Sequence, residues 1–495
     1  MAALLVVLAS LPFAMSIVSC FVPLRVSQYA TIAVGIATFV LAIALMGRVG
    51  HSNVSVGSVF RVDALSIVFL LAVTFLYATS AIFTRGYLIL SDDPIRVRYV
   101  RRFYVGLNVF CWTLVVVPLV NGLALLWIAM EITTVVSALL IAIDDTDGAS
   151  EAAWKYVLLA SLGLGIALFA TIMMYYAGTA VFGASYDLSY TTLLAGAAHF
   201  HSGVVRFSFV LGVLGYGTKM GLFPVHTWLP DAHSEAPTPV STLLSGALLV
   251  VSFYAILRFF QIAVRTLGPN FPRDTLLIFG VLTLLLASLY LLSQRDMKRL
   301  LAYSSVEHMG ILAIGMSFAA PIAIVGVLLQ VLAHAAAKGT AFFGVGSVVR
   351  KYATKDMAKI RGGIGALPWS GPMLVLAVLA LSAMPPFGIF RSEFYIVEGG
   401  LSQPRFVIAA VLVVLVTVAF FGLSWFTTQT MLSPDTTIEK GGVSGVAAVT
   451  KGEVSYWIVA AMAIGLAALL VLGVHPPSQL SHLLVRAAYE LRSAR

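Results

Sequence analysis

The sequence predicts an all-α fold: a polytopic membrane helix bundle of about fourteen transmembrane helices, forming a single membrane domain over 1–495. Composition is the first observation behind it. Of 495 residues 60% are hydrophobic and only 10% charged, where an average soluble domain carries roughly 25% charged residues. Apolar runs of membrane-spanning length are the second. Crossing the hydrocarbon takes about 20 residues, and runs of that order recur at 2–20, 29–47, 63–83, 103–120, 123–143, 154–177, 206–222, 239–262, 275–293, 303–319, 322–346, 369–389, 405–428 and 455–474. Third, these runs are continuous rather than alternating, which fits helices and excludes a barrel.

The opening MAALLVVLASLPFAMSIVSC lacks the charged start of a signal peptide and is long enough to span, so it reads as the first helix. Cys20 and Cys111 fall in apolar segments without metal-ligand or redox spacing and read as packing residues. Gly163 and Gly165 follow no strand, so they read as small residues for close helix packing rather than a dinucleotide fingerprint.

Basic residues in membrane proteins report orientation rather than nucleic-acid binding. Sorted by alternate loops, 17 fall on one side, including the clusters SDDPIRVRYVRR and VRKYATKDMAKIRGG, and 11 on the other. The count places both termini on the non-cytoplasmic side of a multi-pass cell (plasma or inner) membrane protein. Two lysines remain, Lys219 and Lys338, both inside spans. A lysine at the bilayer centre costs about 2.5–3.5 kcal/mol on insertion scales, so it implies partners, water or function. Glu131, in LLWIAMEITTVVSALL, belongs to the same class, and Glu307, His308, His334 and Glu393 are further polar groups in or at the edges of spans.

Two spans are interrupted, the seventh at Phe223-Pro224 just after Lys219 and the twelfth at Pro385, Pro386 and Gly388 just before Glu393. If 103–262 and 275–428 form two five-helix units, each break lies in the fourth helix of its unit. Matching interruptions of this kind point to inverted repeats around a mid-membrane ion path, and carbonyls released near Tyr216 to Met220 are expected to face a hydrated cavity. Proton or cation transfer is the chemistry such groups permit. Glu131 and Lys219 suit a charge pair whose strength depends on protonation. His334 and Lys338, four apart, share a helix face and a water chain, which His308 can join.

Each feature has a structural alternative. A lone intramembrane Glu or Lys can be an interhelical hydrogen-bond partner. His226, Asp231, His233 and Glu235 resemble metal ligands by type, but three prolines interrupt the stretch and no ligand spacing is present, so no metal is expected. His199 and His201 read as solvated loop residues, and Lys298, between Arg295 and Arg299, reads equally as an interfacial topology anchor or a proton carrier.

The segments WIAMEITTV, GTKMGLFPVHTWLPDAHSEAPTPVSTLLSG, RDMKRLLAYSSVEHMGI, HAAAKGTAFFGVG and PPFGIFRSEF closely resemble the antiporter-like membrane subunits of respiratory complex I and its relatives. The wording around His226 and Trp228 is nearest to the hydrogenase-4 and formate-hydrogenlyase type. The resemblance implies two inverted five-helix units, both termini outside the cytoplasm, and a chain of charged residues along the middle of the membrane. By motif, Glu131 matches the glutamate of the fifth helix, Lys219 the lysine of the seventh, Lys338 the central lysine of the eleventh and Glu393 the acid of the twelfth. One position departs: Val250 stands where many relatives carry a mid-helix lysine, leaving water or His226 as the bridge between the halves.

The reading that follows is a proton-translocating (or sodium-translocating) antiporter-like subunit of a membrane-bound respiratory or hydrogenase-type oxidoreductase complex. Its pathway residues are Glu131, Lys219, His226, His308, His334, Lys338 and Glu393. No redox site, nucleotide, flavin or metal signature lies in the chain, so no cofactor is expected. Energy must come from partners: other membrane subunits and a soluble hydrogenase-like or dehydrogenase-like arm, with membrane lipids around the bundle and no nucleic acid. The alternatives are a subunit of a multisubunit cation/proton antiporter or inorganic-carbon uptake complex, and a non-conducting membrane scaffold.

Overall fold

Apolar surroundings leave the backbone no partner but itself, and the computed structural model, which describes residues 2–49, 53–434 and 450–492, is built almost wholly of helices. Lys440 and Arg495, used in the loop-charge count, lie outside the described residues. The helices are α1 (Ala2–Phe21), α2 (Leu24–Val49), α3 (Ala64–Tyr87), α4 (Pro94–Val116), α5 (Leu123–Ile141), α6 (Asp147–Phe182), the short α7 (Tyr190–Gly196), α8 (Ser202–Met220), α9 (Trp228–Glu235) and α10 (Thr238–Leu243). A π turn over Leu244–Leu248 joins α10 to α11 (Leu249–Leu267). Then come α12 (Asn270–Leu291), α13 (Met297–Phe318), α14 (Pro321–Tyr352), the single turn α15 (Gly363–Ala366), α16 (Ser370–Leu381), α17 (Gly388–Leu401), α18 (Phe406–Thr427), α19 (Tyr456–Val474) and α20 (Ser478–Arg492). One antiparallel hairpin, β1 (Val54–Val56) with β2 (Phe60–Val62), interrupts the helical pattern after α2.

Eleven described helical segments are long and apolar enough to cross a membrane. The expected spans outside that set are those that carry charge or a break: α8 with Lys219, α13 with Lys298, Glu307 and His308, and the divided pair α16 and α17. Charge or a break thus lowers these spans below the others, although the unbroken α14 carries Lys338 and stays within the eleven.

Burial sorts the helices into a core and a wrap. The apolar window of the α10–α11 segment is wholly buried, that of α3 94% and that of α14 89%, whereas those of α18, α1 and α19 are 28%, 39% and 39% buried. Close approach depends on glycine at the α6–α8 crossing, where a side chain at Gly215 would come within 2.6 Å of the Ala167 backbone nitrogen. Gly163 faces the same crossing and behaves as expected; Gly165 does not, since nothing lies within 4 Å of where its side chain would be. Cys20 also corrects its reading: it is exposed at the end of α1, while Cys111 is buried.

The start of α3 carries the strongest buried ion pair. Asp63 caps the helix by accepting the Ser66 N–H, and Arg258 of α11 donates to both its carboxylate oxygens at 2.7 and 2.8 Å. Burial pushes the Asp63 carboxyl up, but the Arg258 and Arg61 guanidiniums hold it well below the usual carboxylate range. Glu490 of α20 completes the cap, accepting the Ala64 and Leu65 N–H groups at 3.4 and 3.3 Å. Orphan donors at a helix start are thereby satisfied by two acids. α20 is amphipathic, laying Leu480, Leu483, Leu484, Ala487 and Leu491 inward and leaving Val485 and Tyr489 exposed.

Replacing Arg258 with Met leaves Asp63 buried with only Arg61, at 4.0 Å, as a counter-charge; breaking a buried pair costs about 3–5 kcal/mol, and Arg61 offsets part of it. The expected outcome is a marked fall in the apparent melting temperature of the detergent-solubilised chain. The Glu490 carboxyl is pushed up to about 7, first by burial and then by the Asp63 charge. An acid raised in the packed state favours packing while protonated, so this contribution is full below the ordinary carboxylate value and is lost as pH rises through about 7. A spin label at Val485→Cys in a Cys20→Ser background is expected to gain mobility between pH 6 and 8, and Glu490→Gln is expected to remove that pH dependence.

Candidate functional site

α14 lies in the core and presents Gln330, His334 and Lys338 at successive intervals of four, hence on one face. All three are fully buried. Lys338 cannot stay charged in bare hydrocarbon, and α13 supplies its acceptors: Nζ donates to the Leu301 carbonyl at 2.9 Å and the Ser304 hydroxyl at 2.7 Å. One turn along, the His334 and His308 rings meet edge to face with centroids 5.1 Å apart. His308 Nδ1 then lies 3.1 Å from Gln330 Nε2 and 3.8 Å from Glu393 Oε1, and Gln330 Nε2 donates to that same Glu393 oxygen at 3.2 Å. Ser392 fixes the amide by donating to Gln330 Oε1. The result is a contiguous polar row from Lys338 to Glu393 inside an apolar bundle.

Glu393 is buried on α17 just after the break and lines a groove of about 350 Å³, walled by Phe390, Phe394, Leu412, Val416 and Phe420. Glu307 lies within electrostatic reach of both Glu393 and Lys338, and its Oε2 is buried with no hydrogen-bond partner among the described residues. His334 has both ring nitrogens in the same condition, as does His308 Nε2. Buried atoms left this way are where water or a migrating proton fits.

At the other end, the row continues through groups the sequence reading left aside. His233 of α9 is fully buried, stacks on Phe342 of α14 with centroids 5.4 Å apart, and lies within electrostatic reach of both Lys338 and Lys298. Of the two readings of Lys298, anchor or proton carrier, an exposed anchor does not fit: it is only 6% exposed, and Nζ donates to the Ala236 carbonyl at 2.8 Å. Its position after the Asp296 cap turns it inward, while Arg295 stays exposed. Beside it a charged cavity of about 400 Å³ opens, lined by Glu151, Lys155, Asp231, Glu235, Arg299 and Lys355 among others. The acids that looked like metal ligands are engaged there: Asp231 pairs with Lys155 at 3.2 Å and with Arg299, and Glu235 with Lys355 at 2.6 Å.

Lys219 forms a separate centre. Its ammonium, fully buried at the end of α8, donates to the Met130 carbonyl at 2.6 Å, to Thr134 Oγ1 at 2.8 Å and to Thr133 Oγ1. Glu131, adjacent to Met130 but half-buried, acts on Lys219 without direct contact; no ion pair joins the two among the described residues. The break after α8 runs from Gly221 to Thr227, and the Thr218 carbonyl it releases meets the Trp228 indole at 2.8 Å rather than an open cavity. His226 is buried within the break, with Nδ1 unpartnered among the described residues. Val250 is fully buried on α11, immediately after the π turn. That turn places Ser245 Oγ 2.7 Å from Ser305 Oγ of α13. His199 and His201 are exposed.

The signal for the missed Gln330 is present in the sequence: it precedes His334 by the same four residues that separate His334 from Lys338. Nothing in the sequence marks His233 as buried, because its neighbours Asp231 and Glu235 reach the surface. Gln330 is the joint of the row. Gln330→Leu, close in size, is expected to disconnect Glu393 from His308 and to lower ion transport at least tenfold at equal abundance of the protein; Gln330→Glu, which loses the N–H donor and sets a second carboxyl against Glu393, is expected to lower it as well.

Comparison with known proteins gives one consistent neighbourhood. Residues 120–420 match the family described as NADH:quinone oxidoreductase/Mrp antiporter, transmembrane. A hydrogenase-4 component F homologue of Methylacidiphilum infernorum is 35% identical over 367 residues, covering 73% of this chain and 76% of the homologue. Among solved structures, a chain of the membrane-bound sulfane sulfur reductase, an archaeal respiratory membrane complex, superposes with TM-score 0.85 at 20% identity over 100% of this chain and 98% of that one. A chain of the Mrp complex of a Dietzia species gives TM-score 0.86 at 18% identity, covering 99% and 97%.

Proposed function

The chain belongs to the NADH:quinone oxidoreductase/Mrp antiporter transmembrane family, and from that premise we propose that it is a proton-translocating, antiporter-like subunit of a membrane-bound oxidoreductase complex of the hydrogenase-4 type. The single observation carrying this reading is the buried polar row Lys298, His233, Lys338, His334, His308, Gln330 and Glu393, which begins at a charged cavity and ends at a groove beside α18. A proton arriving through the cavity is taken up along the row and passed by the histidines toward Glu393, while the Gln330 amide, which relays no proton itself, holds His308 and Glu393 beside each other. Glu131 and Lys219 form the second half-path, with His226 in the adjoining break and Val250 between the two centres. Sodium is the alternative ion.

Energy comes from partners. Moving one charge against 100 mV costs about 2.3 kcal/mol, which the described residues of this chain offer no redox centre to supply. The relatives are components of multisubunit membrane complexes, so other membrane subunits and a soluble hydrogenase-like or dehydrogenase-like arm are the proposed neighbours. Co-purification of nickel–iron or iron–sulfur proteins supports this assignment; a functional complex without them moves the chain to the cation/proton antiporter reading that the Mrp likeness favours.

Two further readings belong here. The units 103–262 and 275–428 are proposed as inverted repeats; in both, a buried lysine donates to a carbonyl and a hydroxyl of α5 or α13, the second helix of its unit. Both termini are proposed to lie outside the cytoplasm. Lys155, Arg299 and Lys355, assigned to one side by loop charge, meet in one charged cluster, which supports that sorting.

In proteoliposomes of the assembled complex, Lys338→Met is expected to abolish proton movement, while Arg295→Gln, at an exposed position near the start of α13, leaves it unchanged. Equal activity of the two variants at matched abundance identifies a scaffold instead.

A further inference from the structure

Outside the polar row, a groove of about 1150 Å³ lies on the flank of the bundle, against about 350 Å³ for the groove at Glu393 and about 400 Å³ for the charged cavity at Asp231 and Glu235. Its walls are apolar: Val105, Gly106 and Val109 from α4, and Val136, Leu139 and Leu140 from α5. Its mouth is basic. Arg98 and Arg102 lie one helical turn apart on α4, on one face, and both are exposed. Neither guanidinium makes a hydrogen bond or ion pair among the described residues. Their neighbours are engaged: Arg101 donates to the Cys20 and Val22 carbonyls at 2.6 and 3.1 Å, and Arg96 lies over the Tyr99 ring, 4.9 Å from its centroid. Two acids, Asp144 and Asp145, close the opposite wall beyond α5; Asp144 accepts the Tyr99 hydroxyl at 2.6 Å. Three arginines, Arg98, Arg101 and Arg102, stand against two aspartates in the lining, a net formal charge of +1, and Arg98 and Arg102 are the two guanidiniums left free to meet a ligand.

The geometry points to an anionic diacyl phospholipid bound in this groove, its phosphate on Arg98 and Arg102 and its acyl chains along Val105, Val109, Val136 and Leu139. Charge and shape select this occupant together. A phosphodiester satisfies two guanidiniums that no protein group meets, since arginine's fork matches phosphate oxygens. The apolar walls below take the acyl chains, which a free phosphate lacks. Basic pockets between membrane helices bind acidic headgroups for the same reason.

The test uses the full chain in neutral detergent, with dioleoyl phosphatidylglycerol and dioleoyl phosphatidylcholine as probes and bound lipid counted by native mass spectrometry. Phosphatidylglycerol is expected to bind more tightly than phosphatidylcholine. Arg98→Gln with Arg102→Gln is expected to weaken phosphatidylglycerol by about fivefold per guanidinium, leaving phosphatidylcholine unchanged. Val109→Trp, which fills the groove, should weaken both lipids. Arg98→Lys with Arg102→Lys, which keeps the charge, should retain most of the preference and shows that loss in the Gln pair is not loss of fold. Equal binding of the two lipids to the unaltered chain overturns the proposal, as does full phosphatidylglycerol binding by the Gln pair. Displacement of phosphatidylglycerol by equimolar inorganic phosphate overturns the acyl half, leaving a phosphate site. Failure of phosphatidylglycerol to remain bound in the assembled complex assigns the groove to a neighbouring subunit's helix and also overturns it.

Discussion

Keeping an ammonium group inside hydrocarbon is the constraint on which the rest of this structure depends. Lys219 and Lys338 are both fully buried, and each is met by a backbone carbonyl together with hydroxyls from a neighbouring helix. A carbonyl inside an α-helix is already spoken for by its own ladder, so a second donor reaches it only where helices pack closely. Small residues allow that approach, as Gly163 and Gly215 do at the crossing that seats α8 against α6. Placing a cation in the membrane therefore dictates glycine, serine and threonine around it.

The same constraint explains why the breaks and the charges coincide. Ending α8 at Gly221 puts Lys219 in a last turn whose amides are spent, and the carbonyl released at Thr218 is met by the Trp228 indole. The second break, between Leu381 and Gly388, lets α17 start afresh and bring Glu393 and Ser392 against Gln330. A continuous helix through either region would carry no such freedom. Interruption gives the bundle polar positions deep inside it.

Much of this was legible in the sequence because membrane helices announce themselves by length and composition. The spans, both breaks and the intramembrane Lys219, Lys338, Glu307, His308, His334 and Glu393 all follow from apolar runs and the residues that violate them. What stayed hidden depends on tertiary turns of direction. Lys298 sits among basic neighbours and reads as readily as an anchor as a carrier, and only the Asp296 cap and the bridge from Asp296 to Asp356 set the start of α13 so that Lys298 points inward and Arg295 outward. His233 hides for a similar reason: α9 has one face on the charged cavity and the other against Phe342. Local periodicity over eight residues, broken by a proline, is too short to tell those faces apart.

Val250 focuses what the two lysine centres have in common and what separates them. It follows directly on a π turn, and such turns cluster at functional positions because the extra residue shifts side chains around the helix axis. Here the turn brings Ser245 into hydrogen-bond contact with Ser305 of α13, four residues beyond Leu301, whose carbonyl accepts from Lys338. The distortion thus serves the Lys338 side, while the helix resumes with Leu249, Val250 and Val251, all fully buried and apolar. A lysine at 250 would add another cation to a core that already buries Lys219, Lys338, Lys298 and Arg258, and would need its own carbonyl and hydroxyl acceptors. With valine there, the electrostatic link between the halves passes through apolar packing, so a charge change at one lysine reaches the other only through the low-dielectric field or a rearrangement of α11. Coupling by field is strong in such a medium and needs no shared proton. Two half-paths that influence each other without exchanging protons are therefore physically consistent with this core.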